Sequence, residues 1–324
     1  MNTFILTATA ETRSFNTALF QSAPDTWRPA GRPATPSDRF AMKFDPGSNR
    51  WKLRLGFGFW FWGGLIALLS AAPIPTAWGA EVAGASTNLA SAVDLRPAFR
   101  KWGLPVRSQG SRGTCSVFAL TGALEYALAS RQQTGTVLSV EFLNWASNQA
   151  TTNLSDGGFF ADLWTGFAVH GICSESSLPY QPNYDPNLRP GDPVLRRAKE
   201  AIAAHLRLHW IKPWNVATGL TAPQFLEIKR TLALGWPVCG GFRWPKHEQW
   251  PRDILEMVPA TEVFDGHSVL LVGFKDDAAE PGGGVFLIRN SGGGPREGAL
   301  PYQYVRAFLN DAAWIEPPPL SPVP

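Results

Sequence analysis

The sequence contains few cysteines for its length. Its 324 residues include three, Cys115, Cys173 and Cys239, which are odd in number and widely spaced. This pattern excludes a dense disulfide framework and a zinc site built from paired ligands. At most one disulfide can form. A bond between Cys173 and Cys239 would leave Cys115 as a free thiol, but the sequence does not decide whether that bond exists.

An excess of charge of one sign is also lacking. Lysine and arginine together number 29 and the acidic residues 26, so the formal net charge is only +3, and the basic residues are scattered along the chain. This distribution does not indicate a nucleic-acid-binding surface. With 44% hydrophobic and 17% charged residues and no internal repeat, the composition indicates one globular domain of the size usual for an enzyme.

One long run without charge stands out near the start of the chain, at residues 55–72. It is preceded by Lys43, Arg50, Lys52 and Arg54 and followed by the small, helix-breaking segment "PIPTAWGA". This order is typical of a signal peptide over residues 42–79, cut after Gly79. The alternative is an uncleaved membrane anchor, because the run is near the lower length limit for spanning a bilayer. Either way we expect export, to the periplasm or the outside of the cell.

The remaining boundaries follow from composition. A signal peptide stands at the true N-terminus, so residues 1–41 before Met42 are interpreted as a misassigned start, or else a disordered leader. Residues 80–92 form a short linker and residues 93–314 the folded domain. The proline-rich residues 315–324 are expected to be a disordered tail.

The hydrophobic period changes along the folded domain. Residues 116–129 and 158–170 have the spacing of amphipathic helices, and the second of these stretches ends at a glycine. Later, residues 236–242, 267–274 and 284–290 are short β-rich runs bounded by glycine and proline. The order predicts an α+β fold, with a helical half followed by an antiparallel sheet or barrel.

Cys115 stands where a polar, glycine-rich loop meets an apolar helix. Ser111 and Thr114 are the candidate helix caps. The partial positive charge of a helix N-terminus favours thiolate over thiol, which suits a nucleophile, although a lone cysteine is more commonly a small buried hydrophobe. Gln109 lies in the preceding loop, and its amide could join the Cys115 N–H as a second donor to an oxyanion. Taken alone, it would be a solvated loop residue.

The base is expected from a hairpin between the second and third β-rich runs. Pairing Val272 with Val285 places His267 opposite Asn290, close enough for the amide oxygen to hold the imidazole. A slip of one residue would put the two on opposite faces, so the inference depends on the register.

The other histidines are interpreted as structural or solvated. His170 precedes a helix-ending glycine, His205 and His209 share one amphipathic stretch, and His247 lies in a polar loop. His205 and His209 lack a convincing third ligand, so neither a metal site nor any other cofactor is expected.

Several segments together resemble the papain-like cysteine peptidases. They are "VDLRPAFRKWGLPVRSQGSRGTCSVFA", "LSVEFL", "DGGFFADLWTGFAVHGICSESSLPY", "DGHSVLLVGF" and "FLIRNSGG". The resemblance implies that Cys115 is the nucleophile, His267 the acid and base, Asn290 the residue that orients His267, and Gln109 part of the oxyanion hole. It also implies that the pair Gly157-Gly158 binds substrate along a cleft between a helical and a barrel-like half.

The chain departs from the family pattern at three positions. Arg112 replaces a cysteine that is usually in a disulfide, Ser116 replaces an aromatic residue after the nucleophile, and Gly292 replaces a tryptophan. Because that tryptophan shields the hydrogen bond between the histidine and the asparagine, its loss predicts a wetter and weaker contact between His267 and Asn290.

The expected function is peptide-bond hydrolysis on peptide or protein substrates. The same residues could pass the acyl group to an amine, as an acyltransferase, or the fold could bind peptides without cleaving them. Too few residues separate Gly79 from Val93 for a long inhibitory propeptide, so restraint by a protein inhibitor, by location or by substrate access is expected. Nucleic acid is not an expected partner, and a membrane is one only if residues 55–72 stay uncleaved.

Overall fold

The computed structural model describes the backbone of residues 42–45 and 50–53, and it describes residues 89–317. The first two ranges belong to one compact unit, where β1 (Met42–Asp45) and β2 (Arg50–Leu53) form an antiparallel hairpin. Residues 89–317 belong to a second unit. The expectations for residues 1–41 and 55–72, and for the cut after Gly79, lie outside the described residues. No helix in the described part of the chain has the length and apolar character needed to cross a membrane.

The second unit has its main helices first and most of its strands later. The helices are α1 (Arg96–Lys101), α2 (Cys115–Gln132), α3 (Val140–Thr151), α4 (Phe160–His170), α5 (Asp192–Lys199), α6 (Ala222–Ala233) and α7 (Tyr302–Phe308). The strands are β3 (Ala92–Asp94), β4 (Arg207–Lys212), β5 (Val238–Pro245), β6 (Val263–Asp276), β7 (Gly284–Arg289), β8 (Ala299–Pro301) and β9 (Leu309–Glu316). The predicted α+β class is confirmed, and α6 and α7 are additional helices in the second half.

The strands β3 to β9 form one antiparallel sheet of seven strands. The order is β4-β9-β5-β6-β7-β8, and β3 pairs with β6. The long strand β6 is central to the sheet, because it pairs with β3, β5 and β7. The path begins at β4 and ends at β8, so over the described residues the sheet is open and the expected barrel is not closed.

The predicted hairpin between β6 and β7 forms, but its predicted register is wrong. Val285 pairs with Lys275 rather than with Val272. The register shifts between Leu271 and Gly273, so Val272 is a bulge residue without a partner on β7. A bulge inserts one extra residue into one strand, which sequence alternation alone does not reveal.

The helix α2 lies in the core and packs against the sheet. Its side chains Leu120 and Leu124 are fully buried, in one cluster with Leu270 of β6 and Cys239 of β5. A Cβ atom at Gly122 would lie only 3.1 Å from Leu270 Cδ2, so the helix and β6 are in close contact. This packing sets where the first residue of α2 stands relative to β6. A second apolar cluster lies between the sheet and the helices α6 and α7.

The loop that leads into α2 is held by a buried ion-pair cluster around Arg112. Its guanidinium donates to Glu141 Oε2 of α3 at 2.5 Å and to Asp156 Oδ1 at 2.8 Å, and its carbon lies 4.5 Å from the centroid of the Tyr180 ring. The side chains of Arg112 and Glu141 are each only 3% exposed. The guanidinium therefore joins this loop, α3 and the segment before Gly157, at the position where the resemblance leads one to expect a cysteine.

We expect Arg112→Leu to lower the free energy of unfolding by about 3–5 kcal/mol, because it leaves two carboxylates near the core without their cation. Arg112→Lys should lose less, since it keeps the charge but not the planar fork. Urea unfolding followed by circular dichroism measures both. The control is Arg100→Leu, whose salt bridge to Glu297 is exposed and should be worth about 0–1 kcal/mol. Equal losses in the Arg112→Leu and Arg100→Leu variants would contradict a stabilising role for the cluster.

Candidate active site

A cleft of about 250 Å³ lies where α2 begins and β6 passes it. Cys115, Gly158 and His267 line it, together with the aromatic side chains of Phe159 and Trp214. The cleft is thus bordered by a helix N-terminus, a glycine-rich segment and the central strands of the sheet. Residues that are far apart in the sequence meet here.

Cys115 is the first residue of α2, as predicted. Thr114 occupies the cap position, but its hydroxyl makes no capping hydrogen bond to the helix. It lies instead 2.6 Å from the Tyr180 hydroxyl, which also donates to the Gln109 carbonyl at 2.9 Å. Tyr180 thereby fixes the loop before the helix at two points. As the first helical residue, Cys115 has a backbone N–H with no acceptor inside the helix.

The Cys115 thiol is hydrogen-bonded to His267, and each group changes the pKa of the other. Burial opposes ionisation of the thiol, but the hydrogen bond and the charge of His267, with backbone N–H donors, lower the pKa of Cys115 below its ordinary value. Burial also opposes the charged imidazole, yet Cys115 and Asn290 raise the pKa of His267 above its ordinary value. The two shifts favour a thiolate beside an imidazolium.

His267 and Asn290 are joined by a hydrogen bond of 2.8 Å between Nε2 and Oδ1. The Asn290 amide is fixed, since Oδ1 accepts from the Gly292 N–H at 3.0 Å while Nδ2 donates to the Gly293 carbonyl. His267 Nε2 must therefore donate, and the other ring nitrogen is left for Cys115. Continuing the pairing of Leu270 with Arg289 makes the contact between His267 and Asn290 diagonal rather than directly opposed.

The expected wetter contact between His267 and Asn290 is not what the structure has, because Asn290 is only 1% exposed. A Cβ atom at Gly292 would lie 2.7 Å from His267 Cε1, so the ring sits directly against this glycine. The tryptophan beside the histidine comes from β5 instead. The Trp244 ring meets His267 edge-on, with their centroids 4.7 Å apart. The family resemblance did not predict that Trp244 covers the histidine, because Trp244 is far from Gly292 along the chain.

Gln109 is anchored through both ends of its amide. Its Oε1 accepts from the Ser291 hydroxyl at 2.9 Å and its Nε2 donates to the Arg112 carbonyl at 2.8 Å. Its backbone N–H also donates to the Ser291 carbonyl at 2.9 Å. A primary amide has two N–H donors, so one remains for a ligand. The loop before α2 and the loop after β7 are thus joined at Gln109, next to the histidine.

The two glycines of the Gly157-Gly158 pair occupy different places. Gly158 lines the cleft. Gly157 is buried behind it with φ +101°, and a Cβ atom there would lie 2.2 Å from the Gly113 carbonyl oxygen. Ser116, at the family's aromatic position, is buried beside this segment, and its hydroxyl lies 3.4 Å from the Gly158 nitrogen. Gly157 therefore allows the backbone to pack closely against Gly113, and this packing places Gly158 at the border of the cleft.

A carboxyl group that sequence reasoning missed also lines the cleft. Asp311 of β9 pairs with Gly241 of β5, and its Oδ1 occupies the space that a side chain on Gly241 would need, 2.1 Å from an ideal Cβ position. Burial raises the pKa of Asp311 to about 6, although the charge of Lys212 opposes that rise. The sequence signal that could have indicated this carboxyl group is the glycine pair in β5, because a glycine leaves room for the side chain of a neighbouring strand.

The remaining cysteines and histidines lie apart from this cleft. Cys173 and Cys239 are both buried free thiols, so the disulfide that the sequence left open does not form. Burial raises the pKa of Cys173 to about 11. His170 ends α4 as predicted, and His209 lies 2.9 Å from Glu316 and stacks on a tryptophan. Within residues 42–45, 50–53 and 89–317, no three potential metal ligands cluster.

Comparisons with known proteins agree with this architecture. Xylellain, a cysteine protease from Xylella fastidiosa, superimposes with a TM-score of 0.55 at 22% identity, over 71% of this chain and 87% of that one. The proform of the Amb a 11 cysteine protease, a ragweed pollen allergen, gives a TM-score of 0.51 at 19% identity, over 72% and 69%. At these identities the likeness shows the fold. No curated protein matches by sequence.

The family model described as "Papain family cysteine protease" matches residues 89–295. That range is more than half of the chain and contains the nucleophile candidate, the histidine and the asparagine. The predicted papain-like fold is confirmed, with the sheet open rather than closed. The chain belongs to the papain family of cysteine proteases and is a cysteine-type peptidase.

Proposed function

We propose that the chain hydrolyses peptide bonds with Cys115 as nucleophile, His267 as general acid and base, and Asn290 as the residue that orients His267. Gln109 and the Cys115 backbone N–H form the oxyanion hole. The observation that supports this most strongly is the hydrogen-bonded series from Cys115 through His267 to Asn290 at the edge of the cleft. The opposite pKa shifts of the thiol and the imidazole are the ones that nucleophilic catalysis requires.

The proposed cycle begins with the thiolate of Cys115 attacking the carbonyl carbon of the scissile bond. The carbonyl oxygen becomes an oxyanion that accepts from the Gln109 amide and the Cys115 N–H. His267 gives its proton to the leaving amine, and a thioester remains. His267 then takes a proton from water, which attacks the thioester and releases the acid. Backbone groups of Gly158 along the cleft would hold the substrate in an extended form.

Cys115→Ala should reduce hydrolysis of a mixed fluorogenic peptide library at least about 10³-fold, because it removes the atom that forms the acyl intermediate. A thiol-reactive epoxide should abolish the activity of the unchanged chain and label Cys115. The matched control is Cys173→Ala, which removes a buried thiol outside the cleft and should keep both activity and labelling. If the epoxide labels Cys115 but no hydrolysis is seen, and the unlabelled chain forms product when an amine is added, the activity is acyl transfer rather than hydrolysis. No labelling would leave a peptide-binding role.

The pKa shifts predict how alkylation by iodoacetamide depends on pH. Because His267 lowers the pKa of Cys115 below its ordinary value, the unchanged chain should react at a lower pH than a cysteine with the ordinary pKa does. In His267→Ala the hydrogen bond and the positive charge are gone while burial remains, so the thiol pKa should rise and rapid alkylation should move to alkaline pH. His170→Ala, at the end of α4, should leave the profile unchanged. A profile that is the same with and without His267 would argue against the proposed pair.

We further propose that the peptidase is exported and that its N-terminal segment is removed after Gly79. The supporting pattern is the basic stretch and the apolar run 55–72 followed by small residues. Expression of the full chain in a bacterial host with fractionation should give a soluble exported form whose N-terminal residue, read by mass spectrometry, is Ala80. An intact N-terminus in the membrane fraction would instead indicate the anchor.

A further inference from the structure

The segment after β5 brings a carboxylate between two tryptophans close to the histidine. Glu248 Oε1 accepts from the Trp244 indole N–H at 2.8 Å, and Oε2 accepts from the Trp250 indole N–H at 2.8 Å. Each carboxylate oxygen is bound by a different ring, so the carboxylate is fixed in position and the two rings are fixed by it. Trp244 is itself buried, at 4% exposure.

This cluster reaches the catalytic side chains through direct packing. Trp244 meets the His267 ring edge-on, with their centroids 4.7 Å apart, and Trp250 lies 6.2 Å from Trp244. The edge of an indole carries partial positive charge and its face partial negative charge, so the arrangement of these rings is directional. A change in the position of Trp244 would change the space available to the imidazole.

The glycine-rich loop after Asn290 leaves room for the cluster. A Cβ atom at Gly293 would lie 3.2 Å from Glu248 Oε1, and one at Gly294 would lie 2.4 Å from Trp250 Nε1. The same loop holds the catalytic asparagine, since Asn290 Nδ2 donates to the Gly293 carbonyl. The loop thus contacts the asparagine through its backbone and the cluster through positions that have no side chain.

We propose that Glu248 is a positioning residue for His267, holding Trp244 against the imidazole and placing a fixed negative charge near the imidazolium. The proposal rests on the proposed catalytic role of His267. In this chain the carboxylate and the two tryptophans take the place of the tryptophan missing at Gly292. Trp244 covers the histidine from β5, and Glu248 adds a charge that a tryptophan alone does not supply.

The charges around His267 agree with this role. Burial lowers the pKa of His267, and Cys115, Asn290 and then Glu248 raise it. The other ionisable groups to consider are Lys246 and His247, which are neighbours of Glu248 in the sequence, and Tyr304 of α7. Burial raises the pKa of Tyr304, and the charge of Glu248 raises it further. Arg296 of the glycine-rich loop donates to the Gly292 carbonyl and to Ser108. A negative charge near His267 stabilises its protonated form.

The test is the pH profile of Cys115 alkylation by iodoacetate, which needs no turnover. The sulfur forms a bond to carbon and iodide leaves; the rate rises as the thiol ionises and falls as the imidazolium, which attracts the anionic reagent, loses its proton. Glu248→Gln keeps the size of the side chain but removes the charge and one of the two acceptors for the indole N–H groups. We expect the alkaline limb of the profile, where the rate falls, to move to lower pH by about half a pH unit. The reason is that the Glu248 charge acts on the imidazolium through space. The alkaline limb of kcat/KM should move with it.

Two further variants separate positioning from general destabilisation. Trp250→Phe removes one indole donor but keeps the charge of Glu248, so it should move the alkaline limb by less than Glu248→Gln does. Glu227→Gln changes the same charge on the exposed surface of α6 and should shift nothing. A Glu248→Gln variant with a lower melting temperature and an unmoved alkaline limb would overturn the proposal. An alkylation profile of the unchanged chain that matches a cysteine of ordinary pKa would instead overturn the proposed function.

Discussion

The packing of α2 against β6 holds the two halves of the fold together at the cleft. It brings Cys115, at the first residue of the helix, to His267 on the central strand, although the two belong to different halves of the fold. A thiol at a helix start and an imidazole on a strand have ordinary chemistry when they are apart. Once they are hydrogen-bonded, each stabilises the charged form of the other, and both pKa values move in the direction that supports a nucleophile.

The loop that carries Gln109 into the helix is held by charge rather than by a covalent bond. Arg112 joins it to Glu141 of α3 and to Asp156, and Tyr180 adds hydrogen bonds at the two ends of the same loop. A buried cation shared by two carboxylates is sensitive to the loss of either partner, because the remaining charge is left without compensation. Such a cluster is insensitive to the redox state of its surroundings, whereas a disulfide is not.

The histidine illustrates how one substitution is balanced by others elsewhere. With glycine at position 292 the His267 ring packs directly on the backbone. Trp244 covers the ring, and Glu248 joins Trp244 to Trp250 through their indole groups. Gly293 and Gly294 make room for this arrangement, because a side chain at Gly294 would collide with the Trp250 ring and one at Gly293 would press on the Glu248 carboxylate. The absence of a tryptophan and the run of glycines therefore belong to one arrangement.

Local sequence patterns were enough to predict the helices α2 and α4, the strands β5, β6 and β7, and the family, because periodicity and short motifs are local properties. They also identified Cys115, Gln109, His267 and Asn290 as candidates. Only the folded structure reveals the open sheet, the bulge at Val272, and the clusters around Arg112 and Glu248. These depend on which distant segments come into contact, and the free energy of such contacts comes from burial and pairing that no local pattern records.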